Sequence, residues 1–375
     1  MIPVISHIFL QQYWWIIISL MGSVLVFLMF VQGGQSMLFT LPSDNSERTL
    51  IINSLGRKWE FTFTTLVTYG GTFFASFPLF YATSFGGAYW LWTVILFSFI
   101  IQAVSYEFRS KAGNIIGQKT FDIFLFTNGS LGPFLIGVAV GTFFTGVGFT
   151  LNEMNQVSWN NDWRGLEALG NIRNIALGLA VLFLVRLNGL LFLLNTIDND
   201  SIRARAAGRI IMNSLFFLVF FLYFMFKLLV SDGYFYTNTG AIEIEEHKYL
   251  HNFIEMPFVM IIFLAGVLAV VYGIFKAIAG KSNNAIWFTG SGTVTAVMGL
   301  FLIAGFNNTA FYPSVADPEA SLTIVNASSS LFTLKTMMFF SFTVPFIIAY
   351  IWYTWKALTS RKITIEEMQG EGHKY

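Results

Sequence analysis

Nine long apolar stretches punctuated by short polar segments run the length of the chain. They lie near 13–31, 61–85, 88–106, 123–146, 172–197, 210–230, 254–279, 285–305 and 331–358. Each approaches the roughly 20 residues that a helix needs to cross a bilayer core about 30 Å thick. The pattern predicts an all-α polytopic membrane protein, one integral membrane domain over 1–375, with a short, polar, mobile tail at 359–375. An odd number of crossings places the termini on opposite sides. Pro78, Pro133, Pro257 and Pro345 fall inside apolar runs, where membrane helices tolerate them as kinks if neighbours satisfy the backbone.

Within the second and third stretches the polar positions are themselves ordered. Glu60, Thr64, Thr68, Gly71 and Ala75 recur on one helical face, and Ser98, Gln102, Ser105 and Arg109 repeat at i, i+4, i+7 and i+11 on the next helix. Gly86 and Gly87 between them predict a tight antiparallel turn, so that Glu60 lies at the same membrane face as Glu107 and Arg109. Polar groups are costly in lipid and normally face protein or a wet cavity. The hairpin is therefore expected to form one wall of a hydrated path, with Glu60, Thr64, Thr68, Ser105 and Glu107 as candidates to relay protons. An interfacial Glu60 that pairs with Lys58 or Arg109 and only anchors its helix is the competing reading. Glu107, Arg109 and Lys111 fit an interfacial anchor equally well.

Arg186 stands fourteen residues into the fifth stretch, about 21 Å along it at 1.5 Å per residue. Too far to reach either surface easily, it calls for a carboxylate, a cofactor propionate or another subunit's acid at its tip, with Asn188 and backbone carbonyls as the plainer alternative. Trp14, Trp15, Trp90, Trp92, Trp352 and Trp355 lie near predicted helix ends and read as interfacial belts.

Charge sets the orientation. Fifteen of the 21 basic residues fall in the segments that share a side with the C-terminus, against four on the other side, which predicts an N-out, C-in topology by the positive-inside rule. Only 11% of residues are charged and 55% are hydrophobic, far from the roughly 25% charged of soluble domains. Dispersed basic residues and a net charge of +1 give no nucleic-acid surface. The absence of cysteine excludes disulfides, thiolate metal sites and Cys-ligated haem or iron–sulfur clusters. No removable signal peptide is expected, since no Lys or Arg precedes the first apolar run. The four histidines, His7, His247, His251 and His373, all lie outside the predicted spans. His247 and His251 have metal-pair spacing but lack a third ligand, so no metal site and no haem ligation by this chain are expected. No phosphate loop, nucleophile elbow or catalytic carboxylate pair occurs. The residues alone leave two readings, a secondary transporter with its polar site in the second and third helices or the non-haem part of an enzyme complex.

Particular residues narrow this choice. Tyr13-Trp14-Trp15, Glu47-Arg48, Ile52-Asn53-Ser54, Trp59-Glu60, Gly70-Gly71, Phe80-Tyr81-Ala82 and Tyr106-Glu107-Phe108-Arg109-Ser110-Lys111 resemble subunit II of the cytochrome bd quinol oxidases. The likeness continues through Gly132-Pro133, Ile136-Gly137-Val138-Ala139, Arg203-Ala204-Arg205-Ala206 and Asn326-Ala327-Ser328-Ser329-Ser330. It runs along nearly the whole chain and is densest before residue 145.

The resemblance implies nine helices in two four-helix bundles plus one peripheral helix, in the bacterial inner membrane. It implies pairing with a subunit I that carries two b-type haems, haem d and the quinol site. It further implies that the complex reduces O₂ to water with protons taken from the cytoplasm, generating a proton-motive force without pumping. On this footing Glu60, where many relatives have Asp, is implied in proton uptake, and Arg109 matches the family's basic residue. Gln32-Gly33-Gly34-Gln35 departs from a family pattern of two acids spaced three apart, so any role of those acids is absent or moved. Arg186 matches no family motif and is expected at an interface or a propionate. Small single-helix accessory subunits, the identity of the quinol, and a structural quinone or lipid within this subunit are left open.

Overall fold

The computed structural model describes residues 6–111, 113–237, 239–280, 284–358 and 362–363. Helices dominate it. In chain order they are α1 (His7–Leu28), α2 (Phe30–Gln35), α3 (Asn45–Gly56), α4 (Trp59–Ser76), α5 (Pro78–Phe80), α6 (Tyr89–Phe108), α7 (Gln118–Thr145), α8 (Ile172–Thr196), α9 (Asp200–Leu229), α10 (Lys248–Glu255), α11 (Pro257–Ile278), α12 (Ala285–Gly305), α13 (Leu331–Ser341) and α14 (Val344–Leu358). Seven spans among the described residues are long and apolar enough to cross a membrane: α1 with α2, then α6, α7, α8, α9, α11 and α12.

The two other predicted stretches are each broken, and proline accounts for the breaks. Phe77 leaves helical geometry (φ −133°, ψ 66°) just ahead of Pro78, and a π-helical turn, Tyr81–Gly86, follows α5. The last stretch divides at Phe342 and Thr343, immediately before Val344 and Pro345. A proline ring disfavours helical geometry in the residue before it and supplies no amide donor.

Helices adjacent in sequence pack side by side from α6 through α9, α11 pairs with α12, α1 lies against α12 and α4, and the short α2 is wedged between α7 and α8. Glycine permits that wedge. A side-chain carbon on Gly33 would stand 1.8 Å from the Val185 carbonyl oxygen, and one on Gly189 would stand 2.5 Å from the Gly34 amide, so α2 and α8 touch backbone to backbone. Trp14 and Trp15 are buried rather than interfacial: Trp15 packs on Phe73, Phe77 and Phe311 and donates to the Phe301 carbonyl at 3.0 Å, while Trp14 donates to Leu334.

The polar segments 147–171, 231–252 and 306–330, on the N-terminal side of the predicted topology, contain strands that the hydrophobic pattern does not announce. Antiparallel pairs join β1 (Phe149–Leu151) to β2 (Val157–Trp159), β3 (Gly233–Tyr236) to β4 (Ile242–Glu245), and β5 (Ala310–Tyr312) to β6 (Leu322–Thr323). Register pairs Thr150 with Ser158 and Tyr234 with Ile244. Isolated bridges, Val147 to Ser314 and Phe235 to Thr309, tie the hairpins into one cap. The expected polar tail lies outside the described residues except for Lys362 and Ile363, and Ile363 is buried, its amide donating to the Thr196 carbonyl at 2.9 Å.

Candidate functional site

The polar stripe on α6 faces inward. Ser98, Gln102, Ser105 and Arg109 are all buried, and with α2, α3 and α7 they build a polar column along the helix axis. At its base Arg109 Nε donates to Asp122 Oδ1 at 2.6 Å, Arg48 Nη1 lies 3.7 Å from Asp122 Oδ2, and Arg109 Nη2 reaches Thr49 Oγ1 at 3.5 Å. One turn along α6, Tyr106 accepts from Gln35 Nε2 at 2.8 Å, with Trp59 stacked on its ring. Next, Gln32 Nε2 donates to Gln102 Oε1 at 3.2 Å, and beyond it Asn128 Nδ2 reaches Ser98 Oγ at 3.4 Å. Gln32 Oε1, Gln35 Oε1, Gln102 Nε2 and Asn128 Oδ1 are buried without a protein partner. Unpaired buried amides are the chemistry of a site that holds ordered water. Amides do not titrate, so Gln32, Gln35, Gln102 and Asn128 can order water but cannot themselves give up or take a proton.

The α4 stripe behaves differently. Glu60, Thr64, Thr68 and Gly71 are exposed and Ala75 is half-buried, whereas Thr62, Tyr69, Gly70, Phe73 and Ser76 form the inner face. The two predicted stripes therefore do not line one cavity of this chain. Large rings lie between α4 and α6: Trp59 on Tyr106 and Phe63 on Phe99.

Neither cation suggested for Glu60 pairs with it. Arg109 is held by Asp122, and Lys58, buried, has its ammonium 4.2 Å above the Trp355 ring. Burial, with the neighbouring Arg57 charge, lowers Lys58 to about 8. Glu107 is exposed and pairs with Lys111, and the Ser105 hydroxyl donates to the Ile101 carbonyl at 2.6 Å.

Arg186 has its guanidinium 5.8 Å from the Phe183 ring centre, with Nε buried and unpartnered. Asn188, the plainer partner, is engaged with Thr293 at 3.2 Å. His7 lies 3.0 Å from the Ser329 carbonyl and His251 lies 2.8 Å from Glu245. No group of three or more metal-ligating side chains gathers among the described residues. Asp122 and Asn128 were not singled out from the sequence, and Arg48 entered only within the Glu47-Arg48 motif, with no role of its own. The available signal was a lone acid thirteen residues after Arg109, at the edge of the fourth apolar stretch.

A model of the family described as cytochrome bd terminal oxidase subunit II matches residues 10–358. The chain belongs to that family. It is 29% identical over 359 residues to the cytochrome bd ubiquinol oxidase subunit 2 of Bacillus subtilis (strain 168), covering 94% of this chain and 98% of that one. It is 26% identical over 390 residues to the cytochrome bd-I ubiquinol oxidase subunit 2 of Escherichia coli (strain K12), covering 98% and 99%. The fold matches a chain in the structure of bd oxidase from Geobacillus thermodenitrificans with a TM-score of 0.64 at 13% identity, over 94% of this chain and 99% of that one. This chain is thus a subunit of a terminal oxidase, an oxidoreductase of respiration, and a multi-pass protein of the bacterial inner membrane. Family membership disfavours the transporter reading.

Its family belongs to a haem-containing complex. Among the described histidines, His7 opens the first span while His247 and His251 lie by the cap, and His7 and His251 already have protein partners.

Proposed function

We propose that this chain is the non-haem subunit of a quinol:O₂ oxidoreductase, pairing with a haem-bearing subunit I through the outer face of α4. The observation that carries this reading is the exposed stripe Glu60, Thr64, Thr68 and Gly71. A carboxylate and hydroxyls on the outer face of a membrane helix are costly against lipid and are expected to meet protein or confined water. In this proposal subunit I holds two b-type haems and haem d, oxidises quinol, and closes over the stripe. Glu60 then takes protons from the cytoplasmic side, Thr64 and Thr68 line the way inward, and Glu107 gathers protons at the mouth. Ser105 belongs to the wetted column behind them, and Arg109 fixes the base of that column through Asp122. Nine crossings with the N-terminus outside fit the distribution of basic residues, and O₂ reduction with cytoplasmic protons builds a gradient without pumping.

The test is quinol-driven O₂ consumption by the purified complex as a function of pH. Glu60→Gln and Glu60→Ala are expected to lower turnover by about tenfold or more, the order of a lost proton-transfer group, while the haem spectrum of the complex is retained. Wild-type turnover across the whole pH range in both variants would remove the proton path and leave a structural subunit.

A further inference from the structure

The α8–α9 corner carries cations that the reading above does not use. Helix α9 has 30 residues and rises about 45 Å, exceeding a bilayer core by about 15 Å. The excess is its first third, which holds Asp200, Arg203, Arg205 and Arg209 before the apolar run begins. Arg186 lies ten residues before the end of α8 at Thr196, about 15 Å from the corner. It is therefore level with Arg209, at the edge of the hydrocarbon layer and not deep within it.

The cations here divide into two sets. Arg203 lies near Asp198 and Asp200, and Arg205 pairs with Glu47. Arg186 and Arg209, close enough to repel each other, have no acid partner among the described residues. Arg209 donates only to the Thr40 carbonyl, and Arg186 has the Phe183 ring and an unpartnered buried Nε. On the next turn of α9, Asn213 Oδ1 and Ser214 Oγ are also buried without partners. Two guanidiniums at headgroup depth with unmet hydrogen-bonding capacity match the multiple acceptor oxygens of a phosphate. Met212 and Phe216, on the Arg209 side of α9, are exposed, and Phe216 stacks on Phe183 below Arg186, as acyl chains would require.

We propose that Arg186 and Arg209 bind one phosphate-bearing anion at the edge of the leaflet, with an anionic phospholipid as its occupant. The partner-facing stripe lies on α4, whereas α9 packs on α8, α10 and α11. This favours lipid over a partner's carboxylate as the counter-charge.

The test places the purified complex in nanodiscs of phosphatidylcholine, with or without phosphatidylglycerol or with inorganic phosphate in the buffer. Bound lipid is read by native mass spectrometry, and stability by the thermal midpoint. The wild type is expected to retain one phosphatidylglycerol and to be stabilised by it. Equal stabilisation by inorganic phosphate alone would support the site and assign it to a soluble anion. Arg186→Gln and Arg209→Gln should each reduce retention about tenfold or more, as expected for a lost charge-assisted contact. Arg203→Gln should not, and Arg186→Lys, which keeps the charge, should retain part of the binding. Unchanged retention in both Gln variants, or no response of the wild type to either anion, would overturn the proposal. So would Gln variants that shed the partner subunit while keeping their lipid.

Discussion

Asp122 is the residue on which the buried column rests, because it answers two guanidiniums while itself almost wholly buried. Removing one member of a buried pair leaves the other charge desolvated and uncompensated, at a cost of about 3–5 kcal/mol. Asp122→Asn is therefore expected to lower the thermal midpoint of the purified complex sharply, and Asp122→Asn combined with Arg109→Gln should recover much of the loss, as for coupled neighbours. A single variant that melts with the wild type would show that the pair contributes nothing. The sequence made one side of this site legible, since Ser98, Gln102, Ser105 and Arg109 share a helical face whatever the fold. It could not reveal Asp122 as their partner, because that contact joins two helices and depends on packing. The inward role of Gln32 and Gln35 was hidden in the same way: only the backbone contact of Gly33 with α8 turns both glutamines toward α6.

Among the elements, periodicity found those whose ends coincide with the ends of apolar runs. The stretch 285–305 is α12 to the residue, and α8 ends within one residue of its predicted limit. It failed where a helix continues into polar sequence, as α9 does for ten residues, and where proline interrupts an apolar run, as at Phe77. The polar start of α9 is fixed to α3 through Glu47. Asp44 caps α3 by accepting from the Glu47 amide at 2.9 Å, and the Glu47 carboxylate accepts from the Ser43 amide at 2.7 Å and from Arg205. Burial by itself would raise Glu47, but hydrogen bonds from Arg205, Ser43 and Ser201 outweigh it and hold the carboxyl at about 2. A depressed carboxylate stabilises the fold above its unfolded value of 4.5, and that contribution is lost as pH falls toward the folded value. The thermal midpoint of the complex is thus expected to fall between pH 4.5 and about 2, and Glu47→Gln should be less stable at neutral pH and flatter across that window. Identical profiles for the two proteins would dissociate Glu47 from the α3–α9 tie.

For the molecule as a whole, the membrane class and the family were readable because hydropathy and dispersed motifs survive without knowledge of packing. The direction of the α4 stripe was not, since a period of 3.6 places Glu60, Thr64 and Thr68 on one face without saying which way that face turns. Its outward exposure makes the single chain incomplete as a membrane surface, and the haem question follows from the same incompleteness. Haem iron takes axial ligands from His, Cys, Met or Tyr. Here cysteine is absent and the described histidines lie at the start of α1 and in the cap. If the haems belong to the partner, reduced-minus-oxidised spectra should follow the two-subunit complex through purification. The chain expressed alone and supplied with haem should then show no stoichiometric Soret band. Glu60→Lys, which sets a cation on the stripe proposed to face the partner, should reduce the haem that copurifies with a tag on this chain while leaving the chain in the membrane. A stoichiometric haem spectrum from the isolated chain would instead place ligation on methionine or tyrosine within these helices. Undiminished haem recovery with Glu60→Lys would move the partner away from α4.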